Sequence, residues 1–169
     1  MKLRKLNYND IDDILSWMHD SNVNCFFSNN FEKFKREDVK NFIDKCYSDV
    51  ENIHYACVDE NDDYLGTVSL KNIDKKNKNA EYAISFCRSS HGTGSAKFAT
   101  LEILKIAFEE LSLEKVYLNV LSDNIRANCF YKKIGFILEG EFKKHVCIGD
   151  TLKDLNWYRM LKNEYLKIF

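Results

Sequence analysis

The sequence lacks several features that mark special classes of protein. No run approaches the roughly 18 apolar residues of a membrane helix, and no long apolar run follows the first lysines. We therefore expect no membrane span and no signal peptide. Proline is absent altogether, which reflects a compositional bias without functional information. The formal net charge is only −1 and the isoelectric point about 6.4, so no basic surface argues for a nucleic-acid partner.

Paired cysteines are missing as well. None of the six cysteines belongs to a C-x-x-C pair, so we expect neither a zinc site nor a thioredoxin-type redox site. Most lie in apolar patterns such as "HYACVD", which predicts reduced core residues of a cytoplasmic protein. The six are Cys25, Cys46, Cys57, Cys87, Cys129 and Cys147.

What remains is the composition of an ordinary globular domain. The chain has 169 residues, of which 45% are hydrophobic and 30% charged. This length suffices for one sizeable core, and no linker, repeat or low-complexity segment interrupts it. We therefore predict a single domain over residues 1–169.

Two hydrophobic periods alternate along the chain. Apolar residues at i, i+3, i+4 and i+7 predict helices, and alternating β-branched and aromatic residues predict strands. The predicted helices cover 9–20, 36–47, 95–111 and 124–134, with Asn9 or Asp10 capping the first. The predicted strands cover 2–6, 53–59, 64–73, 80–86, 115–121, 136–146 and 152–161. Antiparallel hairpins with one strand–loop–helix–strand crossover predict a mixed α/β sheet.

An acidic run, "DENDD" at 59–63, separates two of the predicted strands. Its position between alternating segments predicts a hairpin turn. A calcium loop is the alternative, but a twelve-residue loop that begins at Asp59 ends at Leu70, where a bidentate glutamate is needed. The turn is therefore the favoured interpretation.

Glycines stand where a strand passes into a helix, in "SSHGTGSAKF" at 89–98. A dinucleotide site of the G-x-G-x-x-G type is not expected, because Lys97 occupies the third glycine position. The spacing of a G-x-x-x-x-G-K phosphate loop is absent. Two interpretations stay open. Either successive amides of residues 91–96 cradle a pyrophosphate at the helix N-terminus, or the glycines only supply positive φ in a plain turn.

The neighbouring residues favour the cradle. The segment 81–142, "EYAISF…EGEF", resembles the core of the GNAT superfamily of acetyl-CoA-dependent N-acetyltransferases. Its acetyl-CoA signature, Gln or Arg, two variable residues, Gly, one variable residue, then Gly or Ala, falls on residues 91–96, with His91 in place of Gln or Arg. A second family pattern fits in every spacing, on Asn124, Ala127, Tyr131, Gly135 and Phe136.

The C-terminal segment 135–165 resembles the branch of ribosomal-protein, spermidine and nucleotide-sugar acetyltransferases. The resemblance implies a mostly antiparallel seven-stranded sheet with a splayed parallel pair and about four flanking helices. It also implies acetyl-CoA as cosubstrate, direct acetyl transfer to a primary amine, and no metal. The residues it nominates for acetyl-CoA binding are Phe86, Cys87, Arg88, His91, Gly92, Thr93, Gly94, Ser95, Ala96, Asn124 and Tyr131.

Acetyl transfer also needs a proton donor, an oxyanion donor and a base. The resemblance nominates Tyr131 as the acid that protonates the leaving thiolate, and backbone amides near Phe86 for the oxyanion. Glu81 is the candidate base, acting directly or through water, and His54 is the alternative. Cys87 and Cys129 suggest a covalent intermediate, but the family usually transfers acetyl directly.

The acceptor is less clearly indicated. The aromatic segment 24–34 supplies walls for a ring, or core residues, in Phe26, Phe27, Phe31 and Phe34. Its acids are few and stand among Lys33, Lys35 and Arg36, which argues against a polyamine. An amino-sugar nucleotide fits better, although Met18-His19 replaces the Arg-Asn pair that such enzymes often carry.

Several alternatives therefore stay open. A protein N-terminus is a third acceptor, and an acetyl-CoA-binding module without turnover is a non-enzymatic function. Homodimer formation also stays open.

Overall fold

The computed structural model describes residues 1–27 and 30–168. Its strands are β1 (Lys2–Lys5), β2 (Ile53–Val58), β3 (Tyr64–Asp74), β4 (Asn79–Phe86), β5 (Lys115–Leu121), β6 (Ile137–Ile148) and β7 (Thr151–Leu161). They form one sheet in the spatial order β1-β2-β3-β4-β5-β7-β6. β4 and β5 run parallel, and all other neighbours are antiparallel. This confirms the predicted mixed sheet.

Six α-helices accompany the sheet in the described ranges. They are α1 (Ile11–His19), α2 (Ser21–Asn24), α3 (Arg36–Cys46), α4 (Ser95–Lys105), α5 (Ile125–Ile134) and α6 (Lys162–Ile168). α4 continues into a π-helical turn at Ile106–Glu110. The four longer helices are the predicted ones, whereas α2 and α6 were missed. No helix in 1–27 or 30–168 combines the length and apolarity needed to cross a membrane.

Two apolar clusters lie on opposite sides of the sheet, as the alternation along β2 shows. Ala56 and Val58 belong to the cluster formed with α1 and α3, whereas Cys57 between them belongs to the cluster formed with α4. Ile43 of α3 and Ile103 of α4 are fully buried in these two clusters. Each such side chain stabilises the fold by roughly 1.5–3 kcal/mol, so helices are held on both faces.

Asp10 is the N-cap residue of α1, as one of the two predictions had it, but its side chain makes no capping hydrogen bond there. Asn7 caps the 3₁₀ turn that leads into the helix, and its side chain accepts the amide of Asn9 at 2.8 Å. Asp10 is buried and receives two hydrogen bonds from Arg4, at 2.7 and 2.8 Å. The carboxylate therefore ties the helix to β1, since a buried charge needs a partner.

The cysteines are free thiols, but the expectation that they are core residues is wrong for three of them. Cys57 is buried, and Cys46 and Cys87 are half-buried. The exposed ones are Cys25, Cys129 and Cys147. An apolar neighbourhood in the sequence did not place these thiols inside. Cys129 and Cys147 lie on solvent-exposed positions of α5 and β6, and Cys25 follows the end of α2.

A glycine in β3 makes room for an aromatic ring of β4. Gly66 lies opposite Phe86 in the register of the two strands. A Cβ atom at Gly66 would stand 2.4 Å from Cγ of Phe86 and 2.6 Å from the carbonyl oxygen of Ser85. Neither neighbour can yield without moving β4, so only glycine fits here.

Gly66→Ala is expected to lower the free energy of unfolding by about 2 kcal/mol, as is usual for overpacking. Urea denaturation measures the change. Gly140→Ala in β6 is the matched control, because a Cβ atom there meets nothing within 4 Å. Equal stability of the two variants would contradict the steric account.

Candidate active site

The sheet is open between its two parallel strands. β4 and β5 pair at only three positions, which are Asn79↔Lys115, Ala80↔Val116 and Glu81↔Tyr117. Beyond them the strands separate, and residues 82–86 of β4 keep only β3 as a partner. The β5-facing backbone groups of this stretch are therefore free to bind an extended ligand in the manner of a strand.

The opening leads into a cleft of about 530 Å³. Of the residues predicted for the site, the cleft is lined by Glu81, Phe86, His91, Ala96, Asn124 and Tyr131. The other six predicted residues are not in its lining. Ser95 is the first residue of α4, and the five that precede the helix are Cys87, Arg88, Gly92, Thr93 and Gly94. Sequence reasoning missed Tyr82, Asn119, Arg126 and Phe130, which also line the cleft.

The glycine loop presents open backbone to the solvent. Gly92 and Gly94 have φ values of +82° and +89°, and a Cβ atom at either would meet nothing within 4 Å. Their conformation therefore requires glycine, and the space around them is open to a ligand. Neither amide has an acceptor among the described residues.

The N-terminus of α4 is likewise uncapped. Gly94 is its N-cap residue and provides no side-chain hydrogen bond. The first amides of the helix have no intrahelical acceptor, and the helix dipole adds partial positive charge at this end. The loop and the helix together form a site suited to phosphate oxygens.

Two polar side chains of the loop point inward instead. The hydroxyl of Thr93 donates to the Ser90 carbonyl at 2.8 Å, and that of Ser95 donates to the same oxygen at 3.2 Å. Ser95 is fully buried. These hydroxyls fix the shape of the loop, so over residues 92–95 the groups left for a ligand are those of the backbone.

Tyr131 of α5 stands at the wall of the cleft with 8% of its surface exposed. Its ring packs edge-on against Tyr82 at 6.0 Å and against Phe136 at 5.9 Å. Burial raises the pKa of the Tyr131 phenol, so the hydroxyl keeps its proton. It makes no hydrogen bond to any described residue, which leaves it available to a group in the cleft.

Glu81 occupies the last paired position before the strands separate. Lys71 of β3 forms an ion pair with it at 2.9 Å, and the side chain of Asn72 donates to its other oxygen at 3.0 Å. The carboxylate lines the cleft and is 19% exposed. It is the one carboxylate in the described lining.

A buried asparagine positions the start of α5. The Asn128 side chain donates to the carbonyls of Leu121 and Asn124, at 2.9 and 2.8 Å. It accepts from Asn156 and Tyr158 of β7, at 2.8 and 2.9 Å. All four bonding positions of the amide are used. α5, and with it Tyr131, is thereby fixed to the C-terminal half of the sheet.

Asn124 is the N-cap of this helix. Its side-chain oxygen accepts the amide of Ala127 at 3.1 Å. The first residue of the helix cap is therefore also a residue of the cleft lining. The amide nitrogen of the same side chain is the group left to face a ligand.

The alternative nucleophile and base lie elsewhere. His54 contacts Ser69 at 2.7 Å and the ring of Phe42, and lines a separate cavity of about 170 Å³. Burial lowers the pKa of His54. The Cys87 thiol faces the carbonyl of Asp13 at 3.9 Å, and burial raises its pKa to about 11. Cys129 is exposed. None of the three lines the cleft, so the geometry favours direct transfer.

The aromatic segment divides into two parts. Phe26 and Phe27 line the cleft. Phe31 and Phe34 contact each other at 5.5 Å, and Phe31 also packs on Trp17. The predicted ring-binding wall is therefore half cleft and half core. Ser28 and Asn29 of this segment lie outside the described residues.

The Met18-His19 pair also takes structural positions. Met18 is buried, and His19 hydrogen-bonds the Phe34 carbonyl at 3.0 Å. Among the described residues, no group of three or more His, Cys, Asp or Glu side chains is placed to hold a metal ion.

Three features of the cleft are those of an acyltransferase that uses a coenzyme A thioester. They are the splayed pair of parallel strands, the helix N-terminus that follows two left-handed glycines, and the tyrosine hydroxyl that has no partner among the described residues. The model of the acetyltransferase (GNAT) domain family matches residues 1–137. The chain belongs to this family, and it is an N-acetyltransferase that uses acetyl-CoA.

Relatives match along most of the chain. Spermidine N(1)-acetyltransferase of Vibrio cholerae is 25% identical over 167 residues, which are 98% of this chain and 95% of that protein. Acetyltransferase PseH of Campylobacter jejuni is 26% identical over 149 residues, 87% of this chain and 90% of that protein. The crystal structure of the Vibrio cholerae spermidine N-acetyltransferase with CoA and spermine has a TM-score of 0.90 at 24% identity, over 98% of this chain and 97% of that one. These matches confirm the predicted fold.

Proposed function

We propose that this N-acetyltransferase acts on the primary amine of a small ring-bearing acceptor of the amino-sugar nucleotide class. The charge of the cleft carries the proposal. Its described lining includes one carboxylate, Glu81, and Glu81 is already paired with Lys71. A polyamine with several ammonium groups would be bound poorly there, because its ammonium groups would lose water without gaining a free carboxylate as partner.

The walls of the cleft support the same proposal. The lining includes the aromatic residues Phe26 and Phe27 and the apolar residues Val23, Val146 and Ile148. Aromatic and apolar walls with few polar groups are typical of sites that bind rings.

A polyamine is the second candidate, because spermidine N(1)-acetyltransferases of Vibrio cholerae and Escherichia coli match 98% of this chain. A protein N-terminus is the third, because the ribosomal-protein-serine acetyltransferase of Escherichia coli is 28% identical over 97 residues.

For the reaction we propose three roles. Glu81 takes a proton from the acceptor ammonium, so that the free amine attacks the thioester carbonyl. Backbone amides at the free edge of β4, near Phe86, donate to the carbonyl oxygen as it gains negative charge. The C–S bond then breaks and Tyr131 gives its proton to the leaving thiolate, while the second proton that the acceptor nitrogen loses as the amide forms restores the phenol of Tyr131.

Glu81→Gln tests the role of the base. The variant cannot accept a proton, so we expect kcat/KM for the amine to fall by about 100-fold, the range of general base catalysis. Titration with CoA should show unchanged affinity. Glu114→Gln, an exposed carboxylate just before β5, is the control. Full activity of Glu81→Gln would reject the assignment.

The acceptor is tested by following thiol release from acetyl-CoA with an amino-sugar nucleotide, spermidine and a short peptide with a free N-terminus. We expect kcat/KM to be at least about tenfold higher for the amino-sugar nucleotide, the factor that 1.4 kcal/mol of differential binding produces. Faster release with spermidine or with the peptide would overturn the proposal in favour of that acceptor class.

A further inference from the structure

One arginine of the cleft is bound to a histidine instead of a carboxylate. Arg126, in the first turn of α5, places its Nη1 atom 2.8 Å from Nδ1 of His91 in the glycine loop. A guanidinium only donates, so Nδ1 of His91 is the acceptor and the ring proton is on Nε2. The two elements on either side of the cleft mouth are thereby joined.

The groups around His91 act on its pKa in both directions. Burial and the neighbouring Arg126 lower the pKa, and Arg88 acts in the same direction, whereas the backbone of Phe86 and the carboxylate of Asp20 raise it. Because Nδ1 accepts from Arg126, the ring is neutral and joins the glycine loop to α5.

Arg126 keeps its charge free for an anion. The chain has five arginines, and three of them, Arg4, Arg36 and Arg159, form ion pairs with carboxylates. Within the described ranges, Arg88 and Arg126 have no such pair. Of these two, only Arg126 lines the cleft.

We propose that Arg126 binds the diphosphate of acetyl-CoA, and that His91 is the positioning residue that aims it. The family signature has Gln or Arg at the first position of the loop, where this chain has His91. The cation is then supplied from α5, across the cleft from the free amides of Gly92 and Gly94. A guanidinium suits this task because it offers several donors in a fixed plane.

Binding measurements test the proposal independently of turnover. The affinities of CoA, 3′-dephospho-CoA and pantetheine are measured by calorimetry or by competition with acetyl-CoA. For Arg126→Gln we expect about a tenfold loss with both CoA and 3′-dephospho-CoA, the scale of one charge-assisted contact, and no loss with pantetheine. Lys132→Gln, an exposed cation on the same helix, should change none of the three.

Other outcomes reject the assignment. A loss with CoA but not with 3′-dephospho-CoA would assign Arg126 to the 3′-phosphate. A loss with pantetheine too would mean that α5 has moved. No loss at all would leave Arg126 without a role in binding.

The role of His91 has its own test. His91→Leu removes the acceptor and should weaken CoA binding several-fold, whereas His91→Gln keeps an acceptor oxygen and should bind as the parent does. His91→Leu combined with Arg126→Gln should bind no worse than Arg126→Gln alone, because the histidine acts through the arginine. Additive losses would show that His91 contacts the cosubstrate directly.

Discussion

Tyr131→Phe is expected to lower kcat for acetyl transfer by about 100-fold, within the range found for general acids. The hydroxyl has no partner among the described residues, stands in the cleft wall, and keeps its proton because burial raises the pKa of the phenol. Phenylalanine preserves the ring and its contacts with Tyr82 and Phe136. CoA affinity should therefore change by less than about threefold, because the substitution removes only a hydroxyl whose proposed role is in the transition state.

Tyr82→Phe is the matched control for this experiment. Tyr82 lines the same cleft and touches the Tyr131 ring, but its hydroxyl is bonded to Thr100 at 2.8 Å. Loss of that bond should cost about 1 kcal/mol of stability and leave kcat within a few-fold. Equal losses of kcat in both variants, or a parallel loss of CoA affinity in Tyr131→Phe, would contradict the acid role.

Gly94→Val is expected to weaken CoA binding by at least about 30-fold, equivalent to roughly 2 kcal/mol. Two effects combine. A β-branched residue is a genuine outlier at a φ of +89°, so the loop shifts and its free amides lose their arrangement. The isopropyl group also occupies the open space at the N-terminus of α4 through which phosphate oxygens approach. Calorimetric titration with CoA measures the loss.

Gly149→Val separates strain from obstruction. Gly149 also has a left-handed φ, +58°, and open surroundings, but it lies in the turn between β6 and β7. Both variants should lose stability, since each forces a side chain into the left-handed region. Only Gly94→Val should lose CoA affinity. Similar affinities for the two variants would remove the glycine loop from the cosubstrate site.

The sheet and the main helices were predictable because their patterns are local. Alternation on β2, with Ala56 and Val58 on one face and Cys57 on the other, is readable in the sequence and set by burial on two sides. The glycine loop was readable because positive φ at Gly92 and Gly94 needs that residue type. The helix α5 was likewise readable, because Asn124 is its N-cap residue and Gly135 its left-handed C-cap residue.

The rest depends on partners from distant segments. In the sequence Asn128 resembles any helix residue, because three of its four hydrogen bonds come from β5 and β7. The role of Arg126 likewise depends on its contact with His91, 35 residues earlier. Short helices such as α2 are decided by tertiary packing, because four residues are too few to show a period. The fold thus brings several of the predicted site residues into one cleft, whereas the contacts that orient them could not be predicted from the sequence.

Within the described ranges, β4 and β5 pair at three positions, and this is the only strand pairing between the N-terminal half of the sheet, β1 to β4, and the C-terminal half, β5 to β7. The sheet therefore consists of two halves that are joined along one short edge. Glu81 belongs to the first half, whereas Asn128 fixes Tyr131 to the second. The distance between the proposed base and the proposed acid thus depends on how the two halves are joined. A cosubstrate that pairs with β4 and reaches α5 contacts both halves, so its binding also aligns the acid with the base.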